Sequence, residues 1–410
     1  MNTKRYISDH WKGLATAAFA IAVFCFWVFC LPHLIIAREG MQLFLWNTDY
    51  LVERIRIPGG GAQWLGECIV QFFQYPIIGA CWYVFLLTAI QRLTWRLSNN
   101  VCSRFPVFRY LLSFIPSIFL WFLSCIPDIP TTPIVAVLIT LTMMSILPKE
   151  PIAGLGVSAI LIPIGYWMVG PIAGLLPLYA LHWLWYNISK KKVCCATTAL
   201  VILLAFCIWG SSFITPYPLR QLVRGIDYYW EDNKTGNLEE MEYDMMTRQL
   251  RWADIVKRYE QKPTESIAIR NTVQLAKWKL HLISLQDLAH SLTLTNKAQK
   301  SIVSAFLISE TGMHVGTVSI SQRSAFEAME AIPNYNKSGR ALRRLVETNL
   351  IMGQYEVALK YISILEDTLF YRNWAHRIKP LAEDPLNIKK WPYYQRLKET
   401  FENDKDTFFV

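Results

Sequence analysis

The sequence predicts an all-α protein in two parts. A polytopic bundle of transmembrane helices occupies 1–215, and a soluble α-helical domain of tetratricopeptide-like repeats occupies 216–410. Three observations predict this. Hydrophobic runs of bilayer length follow one another almost without pause up to Thr215. Beyond Pro216 no stretch sustains the apolar–polar alternation of a strand, and apolar residues recur at helical spacing. The charges divide at the same place: 14 Lys and Arg against 7 Asp and Glu up to Thr215, then 27 against 24. The basic excess therefore lies between hydrophobic runs, where it reports membrane orientation. It does not form a nucleic-acid face on the soluble part.

All nine cysteines precede Pro216. Only Cys194 and Cys195 are adjacent, and no pair has zinc-ligand spacing with a second pair to complete it. Neither a metal nor a cofactor is expected. The cysteines read as small apolar residues in lipid or between helices. A cysteine-free tail suits an oxidising compartment.

The first run, 13–31, follows Lys4, Arg5 and Lys12 and is rich in aromatics. No small-x-small cleavage site follows it, so it is expected as an uncleaved span. Later spans are expected at 77–97, 107–126, 132–147, 152–169, 171–188 and 193–214. Each approaches the ~20 residues that a helix needs to cross the hydrocarbon core. The fourth and fifth are short, and a re-entrant pair is the other arrangement open to them. Seven spans put Lys4, Arg5, Lys12, Arg92, Arg96, Arg104, Arg109 and Lys190 to Lys192 on one side, the cytoplasm. The amino terminus is then inside. The tail is outside, in the periplasm if the cell is Gram-negative, with the bundle in the inner membrane.

Between the first two spans lies a long outer segment, 35–75. Leu43, Trp46 and Tyr50 suggest an amphipathic helix at the bilayer surface, and Pro58-Gly59-Gly60-Gly61 breaks it as a turn. Trp64, Leu65, Cys68, Ile69, Phe72 and Phe73 then recur at helical spacing. Charge gathers here at Asp49, Glu53, Arg54, Arg56 and Glu67. Outward carboxylates beside a bilayer suit a metal ligand or general base. Paired arginines suit a lipid phosphate. The alternative is that these charges are the solvated face of an interfacial helix. The glycines are no nucleotide loop, because no Lys-Ser or Lys-Thr follows them.

Within the membrane, polar residues are few. Asp128 is expected in a loop. His182 is a lone intramembrane histidine placed near a span end. Gly154, Gly156, Gly165, Gly170 and Gly174 are expected to allow close helix packing, and Pro163, Pro171 and Pro177 to kink helices.

In the tail, helix pairs are expected at 238–261, 264–292, 302–331 and 338–367. The last is the clearest. Leu342, Leu345, Val346 and Leu350 share one face, Gly353 breaks the chain, and Tyr355, Ala358, Leu359, Ile362 and Leu365 share the next. Gly353, Tyr355 and Ala358 match the turn glycine, the aromatic and the small crossing residue of a tetratricopeptide repeat. Stacked pairs share a core and leave a concave surface for a protein partner. His281, His290, His314 and His376 have no metal or triad spacing.

The segments PGGGAQWLGECIVQFFQYPIIGA, RWADIV and RRLVETNLIMGQYEVALKYISILEDTLFYRNWA carry a resemblance over almost the whole chain. The chain resembles an uncharacterised bacterial family of multi-spanning membrane proteins with a helical-repeat tail, a domain of unknown function. That resemblance implies no activity and no catalytic residues.

Two functional readings follow. In the first, the protein is a membrane-anchored scaffold whose extracytoplasmic tail binds a protein partner. In the second, it is a lipid-linked sugar glycosyltransferase of the C type, to which its layout is similar. Asp49 would then be the base or metal ligand, Glu53 a second carboxylate, and Arg54 and Arg56 the grip on the lipid phosphate. Layout alone is an analogy.

Overall fold

The computed structural model describes residues 3–99, 106–148, 150–185, 190–226, 235–294, 299–332 and 337–404. Among the described residues there is no strand, and the fold is all-α. The chain runs through α1 (Thr3–Cys25), α2 (Pro32–Gly40), α3 (Thr48–Ile55), α4 (Gly60–Val70), α5 (Pro76–Asn99) and α6 (Pro106–Leu112). It continues through α7 (Ile115–Ser124), α8 (Thr132–Ile146), α9 (Pro151–Val169), α10 (Leu175–Trp185), α11 (Lys190–Ile214) and α12 (Leu219–Arg224). Then follow α13 (Leu238–Arg248), α14 (Trp252–Gln261), α15 (Ile267–Lys279), α16 (Leu285–Ser291) and α17 (Ile302–Val315). The last are α18 (Val318–Glu330), α19 (Gly339–Ile351), α20 (Tyr355–Glu366), α21 (Arg372–Glu383) and α22 (Pro392–Asp404). These elements form two compact units. One comprises Met1–Leu31 with Thr48–Tyr229, the other Pro32–Asn47 with Trp230–Val410.

Among the described residues of the first unit, five helical stretches are long and apolar enough to cross a membrane: Trp11–Cys30, Pro76–Ser98, Val107–Ser124, Pro151–His182 and Lys192–Ile214. Seven were expected, and the difference has two sources. α8 has only 15 residues. The fifth and sixth expected spans share one helical stretch of 32 residues. Within that stretch Gly170, at φ +62° and ψ −147°, still separates α9 from α10. Arg104 and the expected span end at Ile188 lie outside the described residues.

The bundle is held by shape and by polar pairs. Trp27 and Tyr83, both fully buried, stack 4.2 Å apart. The Gln91 amide donates to Ser113 Oγ at 2.9 Å, and Thr16 Oγ1 donates to Gln91 Oε1 at 3.4 Å. Ser117 Oγ donates to the Leu87 carbonyl at 2.8 Å. Hydroxyls and amides joining neighbouring helices in this way are the usual glue of a bundle in lipid. Ile21, Phe122, Ile202 and Phe213 are more than half exposed on its outside, a surface suited to acyl chains. The prolines differ from expectation. Pro171 opens a 3-10 turn, Pro177 sits in the first turn of α10, and of the three only Pro163 stands inside a helix. First-turn positions have no partner for the missing N–H, so proline fits there without a kink.

The second unit contains the four helix pairs read from the sequence, as α13–α14, α15–α16, α17–α18 and α19–α20. Gly353 takes φ +78° at the turn of the last pair, and a side chain there would meet only Tyr355. Conformation, not space, calls for glycine at that turn. α17 is apolar along most of its 14 residues and buried. It joins both cores of the unit. Leu307 and Ile308 pack with Tyr243, Ile255, Ile269 and Val273, while Met313 packs with Leu342, Val346, Ile362 and Leu381.

The expected outer segment 35–75 is divided. Pro32–Asn47 belongs with the C-terminal unit, and Thr48 onward with the bundle. Leu43 is part of the same core as Val346 and Leu365. The Glu39 carboxylate accepts from Tyr371 at 2.7 Å and from Arg248 at 3.4 Å. Ser338 Oγ donates to the Gly40 carbonyl at 2.5 Å. Gly339 N–H donates to Gln42 at 3.4 Å, and Trp46 N–H to Asp367 at 2.8 Å. A tail expressed as 230–410 alone is therefore expected to unfold without a cooperative transition. The same tail with 32–47 joined through a flexible linker is expected to unfold in one. Chemical denaturation followed by circular dichroism compares the two, and equal cooperativity would show the segment to be dispensable.

Candidate functional site

The charged cluster read from the sequence lies on the α3–α4 hairpin. On α3, Tyr50 and Arg54 stand four residues apart, and on α4 so do Gln63 and Glu67, so each pair shares one helix face. A tight turn brings the two faces together. Gly59 takes φ +86°, and a Cβ on Gly60 would lie 1.7 Å from the Arg54 carbonyl oxygen. Only glycine permits that approach. The turn predicted at Pro58-Gly59-Gly60-Gly61 is thus present. α4 is not a surface helix, because it packs against α8 and α9. A Cβ on Gly66 would lie 3.4 Å from the Thr132 backbone, and Gly59 N–H donates to the Trp167 carbonyl at 2.9 Å. Trp167 Nε1 in turn donates to the Ile55 carbonyl at 2.6 Å.

Four side chains meet inside the hairpin. Glu67 Oε2 accepts from Arg54 Nε at 3.0 Å and from the Tyr50 hydroxyl at 2.6 Å, and Oε1 accepts from Gln63 at 3.1 Å. Arg54 Nη2 donates to the Tyr50 oxygen at 2.9 Å, with the guanidinium 4.6 Å from the Tyr50 ring centroid. All four residues are buried. Burial pushes the Glu67 carboxyl above its usual range, and the Arg54 charge with the three donors pulls it back. Burial disfavours the Arg54 cation, but Glu67 more than offsets this and its pKa rises. Burial, then the Glu67 charge, raises the Tyr50 phenol. Both carboxylate oxygens are occupied, and the tyrosine both donates and accepts. This arrangement fixes two helices against each other.

The other predicted site residues are elsewhere on α3 and its end. Asp49, Glu53 and Arg56 are exposed. Glu53 Oε1 stands 3.8 Å from Arg54 Nη1. The structure brings Arg54 to Glu67 and does not gather Asp49, Glu53, Arg54 and Arg56 around one place. Sequence reasoning singled out neither Tyr50 nor Gln63 as a partner. The signal was the matched four-residue spacing on either side of Pro58-Gly59-Gly60-Gly61. Asp128 lies in the turn after α7, as read, and His182 is exposed on α10.

In the second unit, Ala358 is fully buried where α19 and α20 cross, while Tyr355 is half-buried and accepts from Lys398 at 2.8 Å. A second ionic network, not foreseen, links α13, α17 and α19. Arg340 binds both Asp244 oxygens at 2.7 and 2.8 Å and reaches Glu310 at 3.2 Å. Arg344 bridges Glu310 at 2.5 Å and Glu347 at 2.9 Å. Arg344 and Arg340 outweigh burial and hold the Glu310 carboxyl far below its usual range. Burial, opposed by Glu310, lowers His314 from 6.5 to about 4. Among the described residues, no three His, Cys, Asp or Glu side chains are grouped as metal ligands.

A family model matches residues 9–410, nearly the whole chain, and its description is a family of unknown function, DUF6057. The chain belongs to that family. No curated protein and no solved structure matches it. The DUF6057 member is thus to be understood from its own geometry.

Two outcomes test that geometry. Glu67→Ala removes the buried carboxylate that answers the Arg54 guanidinium and is expected to lower stability by about 3–5 kcal/mol. The double change Arg54→Met with Glu67→Leu should recover most of the loss, since an apolar pair of similar volume needs no partner. Unfolding of the detergent-solubilised chain measures both, and a double variant no better than the single would sink the ion-pair account. His314 has a folded-state pKa below its unfolded value, so protons favour the unfolded chain between them. Stability is expected to fall as pH drops from 6.5 towards about 4, and less steeply in His314→Gln. Denaturation midpoints across that range would show equal slopes if His314 were not buried neutral.

Proposed function

We propose that this protein is an inner-membrane scaffold. An N-terminal bundle of about seven crossings would anchor a tetratricopeptide-like tail outside the cytoplasm, and the tail would bind a protein partner. The observation that carries the reading is how the second unit holds a peptide. Residues 42–46 have no helix of their own. They are held by main-chain bonds at Gln42 and Trp46, with Leu43 and Phe44 buried. Stacked helical pairs that take an extended segment by backbone and by apolar anchors have the chemistry of a peptide-binding array.

The crossing number draws support from one small cavity in the first unit, about 10 Å3 in volume. Its lining includes Gly59 and Gln63, Thr132 at the start of α8, Gly170 after α9, and Gly225 beyond α11. Seven crossings put all four of these points on the outer side. α8 leaves that end and α9 returns to it, so the connection between them belongs to the opposite end. At ~1.5 Å per residue α8 spans roughly 22 Å. This is shorter than a ~30 Å hydrocarbon core and would be met by local thinning. Lys12 and Arg109, read as cytoplasmic, both lie beside Trp95.

The glycosyltransferase reading has no comparable support. Arg54 is committed to Glu67, and Asp49, Glu53 and Arg56 are exposed on the other side of α3 and its end.

A reporter active only outside the cytoplasm tests the scaffold. It is expected to be active after Val410 and silent when inserted next to Pro148. A silent C-terminal fusion would put the tail in the cytosol and end this proposal. Asp49→Ala should complement a deletion strain as well as the unaltered gene does. Loss of complementation with normal protein levels would restore the transferase reading.

A further inference from the structure

α1, α5 and α6 meet at a cluster to which the proposed scaffold role gives no binding task. Tyr110 on α6 is fully buried, and its hydroxyl donates to the Lys12 carbonyl on α1. Its ring meets Trp11 edge-on at 5.0 Å and Trp95 of α5 edge-on at 5.1 Å. Around this aromatic floor stand two cations. Lys12 Nζ is 4.8 Å from the Trp95 ring centroid, and Arg109 Cζ is 5.7 Å from it. Both side chains are half-buried. Arg109 spends one nitrogen on the Ser98 carbonyl at 3.2 Å, while its Nε is buried without a partner. Neither cation forms an ion pair with a described side chain, those of α1 being described from Trp11 onward.

The indole face offsets part of the repulsion between two cations held near one ring. Among the described side chains the cluster has no anion. The surface beside it indicates which kind. Leu14 on α1 and Val107, Phe108 and Leu111 on α6 are about half exposed or more. An anion that fits has a phosphate for Lys12 and Arg109 and an apolar body for that surface. We propose that Lys12, Arg109 and Trp95 form a binding site for the headgroup phosphate of an anionic phospholipid, whose acyl chains lie along α1 and α6. This rests on the reading that the first unit sits in a bilayer, but not on its sidedness or on any partner of the tail. Basic pockets between helices at a membrane surface bind anionic headgroups in this way, and an arginine presents paired donors to phosphate.

The test measures thermal unfolding of the full chain in a neutral detergent with added phosphatidylglycerol, phosphatidylcholine or inorganic phosphate. Phosphatidylglycerol is expected to stabilise the protein saturably, with apparent affinity about tenfold above that of phosphatidylcholine. Inorganic phosphate should have little effect. If inorganic phosphate matches the anionic lipid, the ligand is a free phosphate and the lipid proposal is overturned. Lys12→Gln with Arg109→Gln should abolish the tenfold preference, and Arg220→Gln, an exposed charge on α12, should retain it. Equal response to both lipids, or a preference that survives the double change, overturns the site. A second measurement needs no variant. A photoactivatable phosphatidylglycerol should label unaltered protein on peptides carrying Trp11, Lys12, Trp95 or Arg109. Labelling confined to other peptides rejects the proposal.

Discussion

A carboxylate shut away from water must find donors, and in the first unit Glu67 finds three. Arg54 supplies the charge, and Tyr50 and Gln63 complete the shell. The α3–α4 hairpin exists in this form because the pair has to close inside it, and the pair closes only because Gly60 lets α4 touch the Arg54 backbone. The hairpin then gives α8 and α9 a glycine-lined surface to pack on. Taking both charges out of water is expensive, and their attraction does little more than repay it. The gain is in specificity. A hairpin with one register positions α4 against Thr132 and Trp167, and a slipped one would bury a charge alone.

The same constraint operates in the second unit with different residues. Asp244, Glu310 and Glu347 are distributed over three helices, and Arg340 and Arg344 answer them in pairs. Helices distant in sequence are thereby tied across the array. Glu39 joins from still farther away, through Tyr371 and Arg248. The second unit therefore draws on residues that precede the first unit's main segment, with Thr48–Tyr229 between them. Its fold cannot be completed from the C-terminal residues alone, and long-range closure of this kind slows folding.

Under the proposed scaffold reading, this is a protein that holds rather than reacts. Its best-formed polar cluster is saturated, and its most peptide-like feature is the segment that its own tail grips. Lys12 and Arg109, which share the Trp95 face, lie beside exposed apolar residues, where the proposed occupant is a lipid.

Sequence by itself determined the all-α class, the long apolar helices of the N-terminal half and the four helix pairs of the tail. Each is a local or periodic property. Run length reports the long apolar helices, apolar spacing reports the helix period, and Gly353 marks a turn because only glycine tolerates its backbone there. The fate of charged residues was not legible in that way. Asp49, Glu53, Arg54 and Arg56 look alike in a list, but a rotation of one hundred degrees per residue buries Arg54 and exposes the rest. Whether Pro32–Asn47 belonged to the first unit or the second was likewise invisible. Its anchors, Tyr371, Arg248 and Ser338, lie hundreds of residues away, and only tertiary packing could bring them to it.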